Sequence, residues 1–156
     1  MDEETVNQDV DQDIDQDVDR NIEELLLVIS RNMRKLYTGL GEEFGLNSMQ
    51  MSALHALAEG NAAMRNLAEK IGCDTSYITG IADALESKNL VTRQADTNDR
   101  RVKQLVLTQQ GHTLRQDFFD KLYAKSPTTS LNATEKKKLH ALLQKMRGAS
   151  GEDVYS

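Results

Sequence analysis

Apolar side chains recur every three or four residues from Ile22 onwards. Ile22, Leu25, Leu26, Ile29, Met33, Leu36, Tyr37 and Leu40 form one stripe, the period of a long amphipathic helix ending near "GEEFG". "NSMQ" at 47–50 has capping-box spacing, with Asn47 as N-cap and Gln50 three residues on; the helix it opens runs through "MSALHALAE" and stops at Gly60. "MRNLAEKIG" and "DTSYITGIADALESKN" predict two more helices with a turn at Gly72 and Cys73, the second capped by Asp74 or Thr75. The pattern then changes to strand-like. "LVTRQA" (90–95) and "VKQLVLT" (102–108) flank a six-residue tip and predict a β-hairpin. Thr108 caps a helix carrying "LRQDFFDKLYAK", which "SP" at 126–127 ends. Asn132 and Glu135 repeat the capping-box spacing at the start of "LNATEKKKLHALLQKM", and "GASGEDVYS" is a polar, loose end. Four helices, two strands around a turn and two further helices leave no room for βαβ alternation, so the fold class is mainly α (α+β).

Composition changes this picture in two places. At 156 residues the chain makes one domain with a real core, and with aromatics scarce and Trp absent that core must be filled by Leu, Ile, Val, Met and Ala. The net charge of -6 is unevenly spread: residues 1–24 hold eleven acids and one base (-10), residues 25–156 fourteen acids and eighteen bases (+4). A mildly basic body with an acidic appendage suits a polyanionic partner. The appendage is low in complexity, "DVDQ", "DIDQ", "DVDR" at 9–20, and its density of like charge predicts a disordered or frayed tail over 1–20. "DIDQDVDRNIEE" sets Asp13, Asp15, Asp17 and Glu24 at EF-hand ligand positions, but Val18 stands where the loop needs Gly, and Arg20 where it needs an aliphatic residue. The bland reading of the tail is a solubilising extension; the sharper one is electrostatic competition with DNA for a basic surface. "LLLVI" at 25–29 is the longest apolar run, far short of the roughly 20 residues that span a bilayer. With no secretory signal visible and a single Cys, the chain reads as soluble and cytoplasmic.

The two short helices have the spacing of a helix-turn-helix. Ala68 lies four residues before Gly72 and Ile78 six after it, with Leu67, Ile71, Ile81 and Leu85 at the other buried positions. With Ile78, Ile81, Ala82 and Leu85 turned inward, the opposite face offers Thr75, Ser76, Tyr77, Thr79, Gly80 and Asp83. Small hydroxyl side chains can approach a groove, and a helix N-terminus favours phosphate. An ordinary helix pair would satisfy the same pattern. The hairpin decides between them: directly after such a helix it makes a wing, whose tip residues Arg100 and Arg101, with Lys103 beside them, would meet an adjacent minor groove. The partner expected is double-stranded DNA.

Residues from about 47 to 115 resemble the MarR-type (multiple antibiotic resistance regulator) winged helix-turn-helix family, on "LAEKIGCDTSYITGIADALESKNLVTR" and "DTNDRRVKQLVLTQQG". The "DRR" followed by a strand ending "LT" and then "G" is the more specific part. The resemblance implies a wing Arg that enters the minor groove oriented by an Asp, here Arg101 and Asp99; a carboxylate can also fix a guanidinium on charge-assisted hydrogen bonding alone. It implies regulation by a small, often phenolic or aromatic, effector held between the dimer helices and the winged helix. The long flanking helices match the family's dimerisation ends, so the likeness covers nearly all but the tail. Gly80 and Ala84 stand where members often carry a base, Asn89 replaces a usual Gly, and Arg65 to Lys103 hold seven bases against six acids.

These readings divide the chain into an acidic tail (1–20), an N-terminal dimerisation helix (21–46), a DNA-binding winged helix (47–108), C-terminal dimerisation helices (109–148) and a loose end (149–156). Leu25, Leu26 and Ile29 in the first helix and Leu139, Leu142, Leu143 and Met146 in the last form surplus apolar faces suited to a homodimer; completing a monomer core is the alternative. A two-fold dimer would read a pseudo-palindromic operator. Phe118, Phe119, Leu122 and Tyr123 crowd the helix between. Cys73 is a candidate redox thiol, since a helix N-terminus can lower a thiol pKa, or simply a small buried turn residue. His55, His112 and His140 have no paired metal-ligand spacing, and no cofactor or metal is expected. With no nucleophile–base pair or phosphate loop, an enzyme is the least supported class. The leading expectation is a ligand-released repressor; the alternative is a winged-helix module that binds protein.

Overall fold

The computed structural model describes residues 3–96 and 101–149. The chain contains α1 (Glu3–Glu43), α2 (Ser48–Leu57), β1 (Ala62–Ala63), α3 (Met64–Ile71), α4 (Thr75–Ser87), β2 (Val91–Ala95), β3 (Lys103–Leu107), α5 (Gln109–Lys125), a 3-10 turn (Pro127–Ser130) and α6 (Ala133–Ala149). Six helices and a small antiparallel sheet in the order β1-β3-β2 make a mainly helical fold. Among the described residues no helix is long and apolar enough to cross a membrane.

Local signals account for most boundaries. Asn47 Oδ1 accepts from the Gln50 N–H at 2.8 Å and Gln50 Oε1 from the Asn47 N–H at 3.0 Å, the reciprocal capping box. Asn132 and Glu135 repeat it at α6, with 2.8 Å and 3.0 Å bonds. Thr108 caps α5 by accepting from the Gly111 N–H at 3.0 Å. The α1 helix stops within the expected "GEEFG", where the Leu46 N–H turns back to the Gly41 carbonyl at 2.9 Å.

Two features depart from the sequence pattern. First, α1 begins at Glu3 and not near Ile22, so residues 3–20, expected to be disordered or frayed, continue the helix. The repeat sets Asp four residues from Asp, a like-charge spacing that opposes a helix, so the sequence pattern does not account for this part of α1. Helical backbone through 13–24 also excludes the EF-hand loop geometry there. Second, β1 pairs with β3 (Ala62 with Leu105, Ala63 with Gln104), while β2 pairs with β3 from Val91–Leu107 to Ala95–Lys103.

The chain divides into two compact units. The first ends at Leu36 within α1, and its outer surface exposes Ile22, Leu25, Leu27, Val28 and Ile29. The second begins at Tyr37 and holds the core. Leu67, Ile78, Leu85, Leu90 and Leu105 are buried where α3, α4 and the sheet meet, each Leu or Ile stabilising by about 1.5–3 kcal/mol. Phe118 of α5 is fully buried, edge-on to Tyr37 at 5.1 Å and to Phe44 at 5.8 Å. Phe118, Phe119 and Leu122 therefore complete this chain's own core. On α5 only the tyrosine of that cluster, Tyr123, is exposed.

Candidate nucleic-acid interface

The turn between α3 and α4 is made by a left-handed residue. Gly72 has φ 66° and ψ 43°, a conformation that costs a side chain with a Cβ. The Cys73 N–H reaches back to the Ala68 carbonyl at 3.0 Å, and Ala68 is buried at the helix crossing. Asp74 occupies the N-cap position of α4 with no side-chain cap bond, while its carbonyl accepts from the Tyr77 N–H at 2.9 Å. Ile78, Ile81, Ala82 and Leu85 all point into the core. The outward side of α4 consequently carries Thr75, Ser76, Tyr77, Thr79, Gly80 and Asp83, all exposed. A Cβ on Gly80 would meet nothing within 4 Å, so this face is open. Tyr77, 58% exposed, is its large side chain.

The hairpin rises from the end of the same helix. Asn89 takes φ 56° between α4 and β2, a left-handed turn that Asn tolerates in place of Gly. Its carbonyl accepts from Thr108 Oγ1 at 2.6 Å, so the cap of α5 also ties down the foot of the hairpin. Across the strands Gln104 donates to the Asp96 carboxylate, and the Asp96 N–H donates to the Val102 carbonyl at 2.9 Å. Arg101 and Lys103 are exposed at the outer end. Asp99 and Arg100 lie outside the described residues, and with them the expected Asp99–Arg101 pair.

Arg93 belongs to the site although no periodicity or motif in the sequence marks it. Its guanidinium donates to both Asp83 and Glu86 of α4, and its backbone N–H donates to Glu86 Oε1 at 3.3 Å. Hydrogen bonding to Asp83, with the charges of both acids, raises the guanidinium pKa further. The available signal was the three-residue spacing of two acids on a helix followed by a base on the next strand.

Cys73 does not have the environment of an activated thiol. Partial burial and the neighbouring Asp74 carboxylate push its pKa up, opposite to the expectation from a helix N-terminus. Among the histidines, His55 lies against Phe119 (ring centroids 4.6 Å apart), with its Nδ1 3.2 Å from Arg115 Nη2. Desolvation and then the Arg115 charge lower its pKa. Among the described residues no group of three His, Cys, Asp or Glu side chains is placed to hold a metal ion. Of the apolar residues expected at a dimer interface, Leu25, Ile29, Leu142, Leu143 and Met146 are exposed, and Leu26 and Leu139 half-buried.

A helix-turn-helix followed by a strand–turn–strand wing, with a third strand behind it, defines the winged helix-turn-helix class. Residues 46–103 match the MarR family. Over 100 residues the chain is 31% identical to the HTH-type transcriptional regulator MhqR of Bacillus subtilis, covering 62% of this chain and 69% of that protein. Over 71 residues it is 38% identical to the HTH-type transcriptional repressor MdtR of the same organism, covering 45% and 46%. Among solved structures, CouR from Rhodococcus jostii bound to p-coumaroyl-CoA superposes with a TM-score of 0.66 at 27% identity, covering 80% of this chain and 90% of that one. The chain belongs to the MarR family.

Proposed function

We propose that this MarR-family chain is a sequence-specific DNA-binding transcription regulator, a repressor that holds a pseudo-palindromic operator as a homodimer. The observation that carries the reading is the open face of α4, with small hydroxyl residues and Gly80, next to a wing bearing Arg101 and Lys103. Such a helix enters a major groove while the wing reaches the flanking backbone or minor groove. Thr75, Ser76, Tyr77, Thr79 and Gly80 contact the groove; Arg101, oriented by Asp99, and Arg100 and Lys103 serve the wing. Exposed Leu25, Ile29, Leu142 and Leu143 favour pairing of two copies through residues 21–46 and 109–148, leaving 47–108 to bind DNA. A small aromatic ligand releases the operator, a reading supported by the aromatic thioester in CouR, and the repressor assignment by the name of MdtR.

A gel-shift titration on the DNA beside the chain's own gene, at several salt concentrations, tests this. Wild type binds with a steep salt dependence, and Arg101→Ala loses roughly 1–3 kcal/mol. Equal binding by the two proteins contradicts the wing assignment. No binding by wild type favours a protein-binding module, the second reading, to which the acids of α4 lend support.

A further inference from the structure

Helix α4 carries two acids and no base, although it is the helix offered to a polyanion. Asp83 lies four residues from Thr79 and three from Gly80, on the same open face, and its side chain is 61% exposed. An unmasked carboxylate there would meet DNA phosphates through water, with little to screen it at low salt. Arg93 stands beside it, its side chain only 28% exposed on β2, and bridges Asp83 and Glu86 at once. The Glu86 carboxylate is doubly held, by this guanidinium and by the Arg93 backbone N–H at 3.3 Å. A forked guanidinium can satisfy two carboxylates in fixed directions, which a lysine ammonium cannot do as a point charge.

We propose that Arg93 is a charge-masking positioning residue of the DNA interface: it turns the Asp83 and Glu86 carboxylates towards β2 and offsets their charge, so that α4 can lie against duplex phosphate. The proposal rests on the DNA-binding reading above. Arg93 acts through the two acids and need not touch DNA itself. Its loss leaves two uncompensated carboxylates beside the groove face.

The test uses the full chain and a fluorescently labelled, arbitrary-sequence duplex, because phosphate repulsion does not depend on base sequence. Binding is followed by anisotropy at low and moderate salt, with thermal unfolding of each variant alongside. Arg93→Gln is expected to weaken binding about tenfold at low salt, the deficit shrinking as salt rises. Asp83→Asn/Glu86→Gln in the Arg93→Gln background restores binding to about wild-type level, a larger gain than the same pair gives with Arg93 intact, and that excess is what neither a direct phosphate contact by Arg93 nor net charge alone gives. Asp83→Asn/Glu86→Gln with Arg93 intact binds as tightly as wild type or more tightly, which keeps the test informative if Arg93→Gln does not fold. The proposal is overturned if Arg93→Gln binds like wild type, if the triple variant stays as weak as the single one, or if the doubly neutralised variant binds less tightly. Wild type that binds no duplex at any salt removes the DNA-binding reading itself, a result separate from these.

Discussion

Gly111, the glycine that ends the "LTQQG" stretch, sits where α5 meets the foot of the wing. A Cβ built there would stand 2.1 Å from the Leu90 carbonyl oxygen, 3.0 Å from its carbon and 3.2 Å from Leu107 Cδ2. The obstructing atoms are backbone, and they are held: the Leu90 carbonyl accepts from the Thr108 N–H at 3.1 Å, and the Leu90 N–H donates to the Leu85 carbonyl at 3.0 Å. Gly111→Ala must therefore push α5 off the hairpin by about 1 Å, overpacking the Leu107 side and pulling the Thr108 N–H from the Leu90 carbonyl. Overpacking of about 1–3 kcal/mol and one lost hydrogen bond of about 0.5–1.5 kcal/mol combine to roughly 2–4 kcal/mol. For a chain of this size that lowers Tm by roughly 5–15 °C. Gly39→Ala is the control: it is also helical, and a Cβ there meets nothing within 4 Å, so it is neutral or stabilises by up to about 1 kcal/mol. Thermal unfolding by circular dichroism at one fixed protomer concentration compares them, since the proposed pairing would make Tm concentration-dependent. If Gly111→Ala melts as high as Gly39→Ala, the close approach at the wing foot is wrong.

Two further outcomes concern titratable groups. The pKa of His55 is held below its ordinary 6.5 by desolvation and by Arg115, with Lys70 acting in the same direction and Glu59 against it. Its contribution is thus complete above 6.5 and lost as pH falls through the folded value, because the unfolded state binds the proton first. Stability of wild type should fall more steeply than that of His55→Gln between about pH 7 and pH 5, and the ring should titrate below 6.5 by NMR; a midpoint at or above that value contradicts the desolvated site beside Phe119 and Arg115. With its thiol pushed up by burial and by Asp74, Cys73 should alkylate more slowly at neutral pH than a free thiol in solution. Faster reaction would return it to the redox candidates.

What was legible in the sequence is what depends on neighbouring residues. Asn47 with Gln50 and Asn132 with Glu135 announce helix starts because each pair satisfies backbone N–H groups within one turn. Ala68, Gly72 and Ile78 announce the helix-turn-helix because crossing, turn and core contact fall at fixed offsets. What was missed depends on partners remote in sequence or on no period at all. A two-residue strand has no alternation to read, and Ala62–Ala63 pairs with β3, some forty residues away. Phe118 and Phe119 fit a dimer surface as well as a core until α1 and α2 are brought against them. Arg93 looks like a routine polar strand position until β2 folds back on α4. The start of α1 eluded the pattern because both the density of like charge and its four-residue spacing argue against a helix there.

The central claim, that two copies of α4 and the wing read DNA together, is tested most directly by selection from a random-sequence duplex library with the full chain. The account predicts an enriched pseudo-palindrome whose half-sites lie about one helical turn, roughly 10–10.5 base pairs, apart. Enrichment of an unsymmetrical site, or of no site at all, would contradict it.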